Sequence, residues 1–101
     1  IRIWQIENEP YLAFGECPVR GEQFLEREIA LVKSLDSSRP ILTTDGGEMG
    51  RWYPAAKAGD MFGTTMYRRT YMRFVGPILG ATEYPLEPSY FRFKEKIVHW
   101  L

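Results

Sequence analysis

The residues with the clearest capacity for chemistry are a carboxamide and a carboxylate, Asn8 and Glu9, which follow a short apolar run. That run, residues 1–6, has the β-branched and aromatic composition of a strand. A positioned carboxyl group can donate or remove a proton, and a neutral amide can bind a hydroxyl without adding charge. Glycosidic bonds are broken by carboxyl groups, so this arrangement predicts acid–base chemistry on a sugar.

A strand must deliver these two side chains, and residues 1–9 are predicted to form one that is buried. In a regular strand Asn8 and Glu9 point to opposite faces, so both reach one substrate only if the strand kinks or ends between them. Pro10 favours such an ending because it lacks a backbone N–H, and it is expected to hold Glu9 extended.

The rest of the chain alternates helical and strand patterns. A helix is predicted over residues 21–35, where Leu25, Ile29, Val32 and Leu35 form an apolar stripe at helical spacing. The other predicted elements are a loop over 11–20, strands over 40–44 and 61–67, helical turns within 51–58, an irregular segment over 68–88 and a helix over 89–101. This alternation predicts an α/β fold with about three parallel strands and right-handed crossovers.

Composition and charge exclude several classes of function. The chain has 101 residues, of which 45% are hydrophobic, and it is expected to form one domain with a modest core. Because 13 basic residues balance 13 acidic ones and no apolar run could span a bilayer, no nucleic-acid or membrane partner is predicted. Cys17 and His99 are the only residues of their types, so neither a disulfide nor a metal site is predicted, and no cofactor is expected.

A hydrophobic strand followed by Asn8-Glu9-Pro10 resembles the fourth strand of the retaining glycoside hydrolases of clan A. The run from Gln5 to Glu9 is similar to the β-galactosidase members of the clan, whereas Pro10-Tyr11 looks more like the cellulases and mannanases. The resemblance implies that residues 1–101 are part of a (β/α)8 TIM barrel, covering its strands four to six, with a carbohydrate as substrate.

The same resemblance implies roles for individual residues. Glu9 would be the general acid/base and Asn8 would hold the sugar, while Tyr67 would match the tyrosine of the sixth strand that orients the nucleophilic glutamate. Active sites of such barrels lie at the C-terminal ends of the strands. Asp45 is therefore a further candidate for substrate binding, and the indole of Trp52 is a candidate for stacking on a sugar ring.

The second carboxylate that such an enzyme needs is not evident, because Glu48, Glu83 and Glu87 lie in loops and follow no strand pattern. We therefore expect the chain to be a piece of the enzyme, incomplete at both ends and inactive alone. The remainder of the barrel would complete the site, with the nucleophile on a strand that begins after residue 101. Enzymes of this clan are frequently secreted, but the sequence leaves the compartment undetermined.

Two other interpretations compete with this one. The chain could belong to a carbohydrate-binding or scaffold protein that kept a barrel-derived fold without the chemistry, or it could be a small independent α/β domain with an interaction role. A strand that ends in Glu just beyond residue 101 would favour the enzyme.

Overall fold

The computed structural model describes residues 1–12, 21–71, 74–83 and 86–100. Cys17 and most of the predicted 11–20 loop lie outside the described residues. The elements within them are β1 (Trp4–Gln5), α1 (Glu22–Leu35), β2 (Ile41–Asp45), α2 (Tyr53–Ala58), β3 (Met61–Thr64), β4 (Arg69–Thr70), α3 (Gly76–Leu79), β5 (Thr82–Glu83) and α4 (Pro88–Trp100). The expected mixed α/β fold is confirmed at this level.

Three strands form a parallel sheet in the order β1-β2-β3. Trp4 lies opposite Ile41 in the first pair, and Leu42 lies opposite Met61 in the second. Because the strands are parallel and consecutive, their C-terminal ends meet at one edge of the sheet. Residues that follow the three strands are therefore brought together, although they are far apart in the sequence.

The core lies between α1 and β2, as the apolar stripe of α1 predicts. Leu25 and Ile29, one helical turn apart, pack against Ile41, which is completely buried. Val32 packs at the margin of this cluster, but Leu35, the last member of the predicted stripe, is 80% exposed. The stripe thus predicts the helix correctly and overestimates the length of its buried face.

The first strand is shorter and less buried than predicted. Only Trp4 and Gln5 pair with β2, and Ile1 is 80% exposed, so the predicted buried strand over 1–9 is wrong in its extent. In the described sheet β1 is an edge strand with one neighbour, and its chain leaves the sheet after Gln5 to enter a turn. Asn8 and Glu9 lie in that turn, so the strand ends before both residues, whereas a kink or an end between them was expected.

The two faces of β2 differ. Ile41, Thr43 and Asp45 are buried on the side of α1 and α2, and the Thr43 hydroxyl donates a hydrogen bond to the Ala55 carbonyl at 2.6 Å. Thr44 alternates to the opposite face and is half-buried. The sheet therefore has one face packed by helices and a second face that carries small and polar groups toward the strand ends.

The segment after β3 is not wholly irregular. β4 and β5 form an antiparallel pair, with Arg69 opposite Glu83, and α3 lies between them. Large apolar side chains remain exposed here, including Phe74 at 91% and Ile78 at 83%. This correction adds a small hairpin-like unit beside the main sheet.

The last helix, α4, packs on the loop between β2 and α2. The Tyr90 hydroxyl donates to the Glu48 carbonyl at 3.0 Å, and the rings of Phe91 and Trp52 stack with centroids 6.4 Å apart. Ile97, near the end of this helix, is 40% exposed. Among the described residues, no helix has the length and hydrophobicity needed to traverse a lipid bilayer.

Candidate active site

Glu9 lies in a tight turn with an unusual backbone conformation. Its φ angle is +51°, in the left-handed region that costs a non-glycine residue roughly 1–2 kcal/mol, so the expected extended conformation is wrong. The backbone N–H of Glu9 donates to Thr44 Oγ1 at 3.0 Å, and its carbonyl accepts from the Leu12 N–H at 3.0 Å. These bonds anchor the strained residue to the end of β2.

The Glu9 carboxyl group is half-buried and reaches the end of β3. Thr65, the residue directly after that strand, donates its hydroxyl proton to Glu9 Oε1 at 2.8 Å. The backbone N–H of Gly47 donates in turn to Thr65 Oγ1 at 3.3 Å. The ends of all three parallel strands thus meet at Glu9, which follows β1: Thr44, near the end of β2, accepts its backbone N–H, and Thr65, after β3, donates to its carboxyl group.

Asn8 stands beside Glu9 and is exposed. Its Oδ1 accepts a hydrogen bond from Gln5 Nε2 at 3.2 Å, and the same nitrogen lies 3.4 Å from Thr44 Oγ1. Within the described parts of the chain the amide nitrogen of Asn8 has no protein acceptor. It is therefore available to donate to an oxygen of a bound molecule.

Asp45, which was predicted to contact the substrate, lies in a buried environment. It is 1% exposed, and its two carboxylate oxygens accept the backbone N–H groups of Gly46 at 2.8 Å and Trp52 at 2.9 Å. A group that is buried and bonded on both oxygens has no free position for a sugar hydroxyl. The predicted substrate contact is corrected accordingly, because Asp45 closes the loop between β2 and α2.

The predicted stacking of the Trp52 indole on a sugar ring is not supported either, because Trp52 is only 3% exposed. Its indole N–H lies 3.0 Å from the Gly46 carbonyl and 3.1 Å from the Gly47 carbonyl. The Lys94 ammonium lies 4.4 Å from the centre of its ring, and Phe91 stacks on it. With its surface covered in this way, the indole has no open face on which a sugar ring could stack.

Contacts from Lys94 and Asp45 hold the loop that contains these residues. Lys94 donates to the carbonyls of Gly47, at 3.0 Å, and Gly50, and burial lowers the pKa of its ammonium group against the opposing effect of Asp45 and Glu48. Trp52 has a φ of +64°, which the Asp45 carboxylate holds in place through the Trp52 N–H. These contacts hold the loop beside Glu9 and Thr65.

Tyr67 lies beyond the end of β3 and is 61% exposed. The described structure contains no hydrogen bond between its hydroxyl and Glu9. The hydroxyl that contacts Glu9 belongs to Thr65, two residues earlier. A role for Tyr67 in orienting a nucleophile stays a prediction, since no such nucleophile is identified among the described residues.

Sequence reasoning missed Thr44 and Thr65, which give Glu9 its two side-chain partners. A signal for them exists in the sequence. A Thr-Thr pair stands near the end of each of the neighbouring strands β2 and β3, at residues 43–44 and 64–65, although β2 itself ends at Asp45. This repetition of small hydroxyl groups near the ends of two parallel strands would have indicated a shared polar site.

A cavity of about 590 Å³ lies elsewhere, between α2, β3 and α4. Its lining includes Tyr53, Phe62 and Val98, and it includes neither Glu9 nor Thr65. The cavity is therefore on the helical side of the sheet and is separate from Glu9 and Thr65.

The described residues contain no group of three or more His, Cys, Asp or Glu side chains that could hold a metal ion. At the ends of the strands, the half-buried Glu9 carboxyl group has hydroxyl and amide neighbours. No protein-family model, curated protein or solved structure matches this chain.

Proposed function

We propose that this chain carries the general acid/base of a retaining glycoside hydrolase and forms part of a (β/α)8 barrel. The observation that supports the proposal most is the hydrogen bond from Thr65 to Glu9, which holds a carboxyl group at the common end of three parallel strands. Active sites of α/β barrels lie at that end of the sheet. The likeness of residues 1–11 to clan A provides separate support.

Glu9 performs two proton transfers in this mechanism. It first protonates the departing glycosidic oxygen, and it then removes a proton from the water that hydrolyses the glycosyl-enzyme intermediate. The hydrogen bonds among the described residues engage Oε1 and leave Oε2 for the substrate. Asn8, whose amide nitrogen has no protein acceptor in those residues, donates to a hydroxyl of the bound sugar.

The retaining mechanism also needs a nucleophilic carboxylate about 5–5.5 Å from the acid/base. Asp45 does not fit this role because it is buried and bonded to two backbone N–H groups. We propose that the nucleophile is supplied by a further strand of the barrel, next to the edge formed by β3. Tyr67 follows β3 in the sequence, and its side chain, in a residue that is 61% exposed, suits contact with the nucleophile.

The shape of the sheet supports a barrel wall. All three strands are parallel and follow in sequence order, as consecutive strands of a barrel do. One face is packed by helices, and the other carries Thr44 together with Gly63, whose position would bring an added Cβ within 3.4 Å of Leu42. Small residues on the inner face suit a closed barrel, in which that face becomes the packed interior.

The test is Glu9→Gln in the full-length protein that carries this chain, assayed on aryl β-glycosides. We expect kcat/KM for glycosides with poor leaving groups to fall by about 10²- to 10⁴-fold, the usual contribution of general acid–base catalysis. Dinitrophenyl glycosides should lose far less in the glycosylation step, because their leaving groups depart without protonation.

Glu7→Gln is the matched control, because Glu7 is a half-buried glutamate two residues away from Glu9. It should leave both classes of substrate almost unchanged. Equal losses on both classes in Glu9→Gln would contradict the acid/base role. Sugar binding that persists in a wild-type protein without hydrolytic activity would instead favour a carbohydrate-binding protein with a barrel-derived fold.

A further inference from the structure

We infer that Thr65 is a positioning residue that determines which oxygen of the Glu9 carboxyl group carries the catalytic proton. The inference rests on the proposed function of Glu9 and adds to it a residue that sequence analysis did not identify. It is carried by a chain of two hydrogen bonds, from Gly47 to Thr65 and from Thr65 to Glu9.

The direction of this chain follows from its first member. The backbone N–H of Gly47 can only donate, so the Thr65 oxygen accepts at 3.3 Å and uses one of its lone pairs. The hydroxyl proton of Thr65 is then free to point at Glu9 Oε1, which lies 2.8 Å away. Whenever Glu9 carries a proton, the oxygen that accepts this bond is the carbonyl oxygen of the acid, and the acid proton is then on Oε2.

The donor that sets this direction is held firmly. The Gly47 carbonyl accepts from the Lys94 ammonium at 3.0 Å and lies 3.1 Å from the Trp52 indole nitrogen. A Cβ at position 47 would collide with the backbone carbonyl of Thr65, so only glycine permits this approach. The loop after β2 and the end of β3 therefore meet at a fixed distance, and the Thr65 hydroxyl is set between them.

The same hydrogen bond serves both steps of the reaction. In the first step the proposed nucleophilic carboxylate bonds to the anomeric carbon, the glycosidic bond breaks, and the proton on Oε2 moves to the departing oxygen, while the Glu9 carboxylate that remains keeps the Thr65 bond on Oε1. In the second step water bonds to the anomeric carbon, the bond to the nucleophile breaks, and Oε2 accepts the proton of that water, which restores the starting acid. Because Thr65 is neutral, it can donate to Oε1 in either protonation state.

The experiment compares Thr65→Val with Thr65→Ser in the full-length protein, using phenyl and 2,4-dinitrophenyl β-glycosides. Valine keeps the shape and removes the donor, whereas serine keeps the donor. We expect Thr65→Val to lower kcat/KM for the phenyl glycoside about tenfold, as loss of one hydrogen bond to a charged group would. The dinitrophenyl glycoside should lose much less in its glycosylation step, and Thr65→Ser should restore most of the activity.

Thr64→Val is the matched control, because the Thr64 hydroxyl donates to the Asp45 carbonyl at 3.0 Å and makes no contact with Glu9 in the described structure. It should affect the two substrates equally if it has any effect. Equal losses in Thr65→Val, or failure of Thr65→Ser to restore activity, would contradict the inference.

A spectroscopic measurement separates this inference from the proposed function. In carbon-13-labelled protein, the Glu9 carboxyl carbon and the Gly47 amide proton should both shift in Thr65→Val and return towards their wild-type positions in Thr65→Ser. If Glu9→Gln shows the dependence on leaving group and Thr65→Val shows neither that dependence nor the shifts, only the Thr65 inference fails. If Glu9→Gln shows no such dependence, the proposed function fails, and the positioning role of Thr65 fails with it.

Discussion

The two ends of the parallel strands carry carboxyl groups in different environments. Where the strands begin, Asp36 pairs with Arg39, and Asp60 pairs with Lys33 at 2.8 Å. Hydrogen bonds from Ser38 and Trp4 lower the pKa of Asp36, and the bond from Lys33 followed by that from the Ile41 N–H lowers the pKa of Asp60. These acids are kept ionised by their partners and tie the elements together.

Where the strands end, Glu9 and Asp45 also differ from each other in burial and in hydrogen-bond partners. Asp45 is buried and its oxygens accept two backbone N–H groups that belong to its own loop. Glu9 is half-buried, and among the described residues its carboxyl group is bonded to the neutral hydroxyl of Thr65. A hydroxyl can bond to a carboxylate or to a neutral acid, whereas the charged partners of Asp36 and Asp60 favour the anion.

This difference separates carboxyl groups that hold the fold together from a carboxyl group that can exchange a proton during catalysis. A general acid/base must exist in both protonation states during each catalytic cycle. Partners that stabilise only the anion oppose such a cycle. The type of hydrogen-bond donor around each acid is therefore more informative than its presence at a strand end, which Asp45 and Glu9 share.

The largest expected effect on stability comes from Asp45. In Asp45→Ala two buried backbone N–H groups lose their acceptor, and the free energy of unfolding should fall by about 2–6 kcal/mol, at roughly 1–3 kcal/mol for each. Glu9→Ala removes one partly exposed hydrogen bond and should cost about 1 kcal/mol or less. Urea denaturation of the two variants measures this contrast, and equal losses of stability would break the distinction between the two acids.

A smaller effect is expected at Gly47, where the loop after β2 meets the end of β3. In Gly47→Ala the new methyl group collides with the Thr65 carbonyl, and overpacking of this kind costs about 1–3 kcal/mol in the free energy of unfolding. The control is Gly46→Ala, whose methyl group would meet Leu12 at an ordinary 3.6 Å. Thermal unfolding of both variants checks the prediction, and a destabilised Gly46→Ala beside an unaffected Gly47→Ala would contradict it.

The elements with local signals were predicted well from the sequence. The spacing of Leu25 and Ile29 indicates α1, and the run of residues 40–44 before two glycines indicates β2 with a shift of one residue. The strand before Asn8 and Glu9 was also expected, although it is shorter than predicted and Glu9 lies in a turn after it. These features depend on neighbours within a few positions along the chain.

The partners of the candidate site depend on distant residues. Thr65 is 56 positions from Glu9, and only the parallel pairing of three strands brings their side chains together. Trp52 was misassigned for the same reason, because its burial depends on α4 and on the closing of its loop by Asp45. Periodicity can identify an amphipathic element, but it does not specify which aromatic ring a later helix will cover.

The smallest expected effect on stability concerns Asp60, at the end of the sheet where the strands begin. The lowered pKa of Asp60 means that the folded state holds this carboxylate more strongly than the unfolded state does, so its contribution to stability is present above the unfolded value of 3.8. That contribution is lost as the pH falls below 3.8 and passes through the folded pKa. We expect Asp60→Asn to flatten the fall in unfolding free energy over this acidic window. Lys33→Met removes the hydrogen bond that lowers the pKa of Asp60 most, and it should flatten the fall in part. Urea denaturation at a series of pH values measures the slopes, and high salt should reduce the contrast because the pair is solvent-exposed. An acidic slope that neither substitution changes would remove Asp60 from the set of acids held as anions.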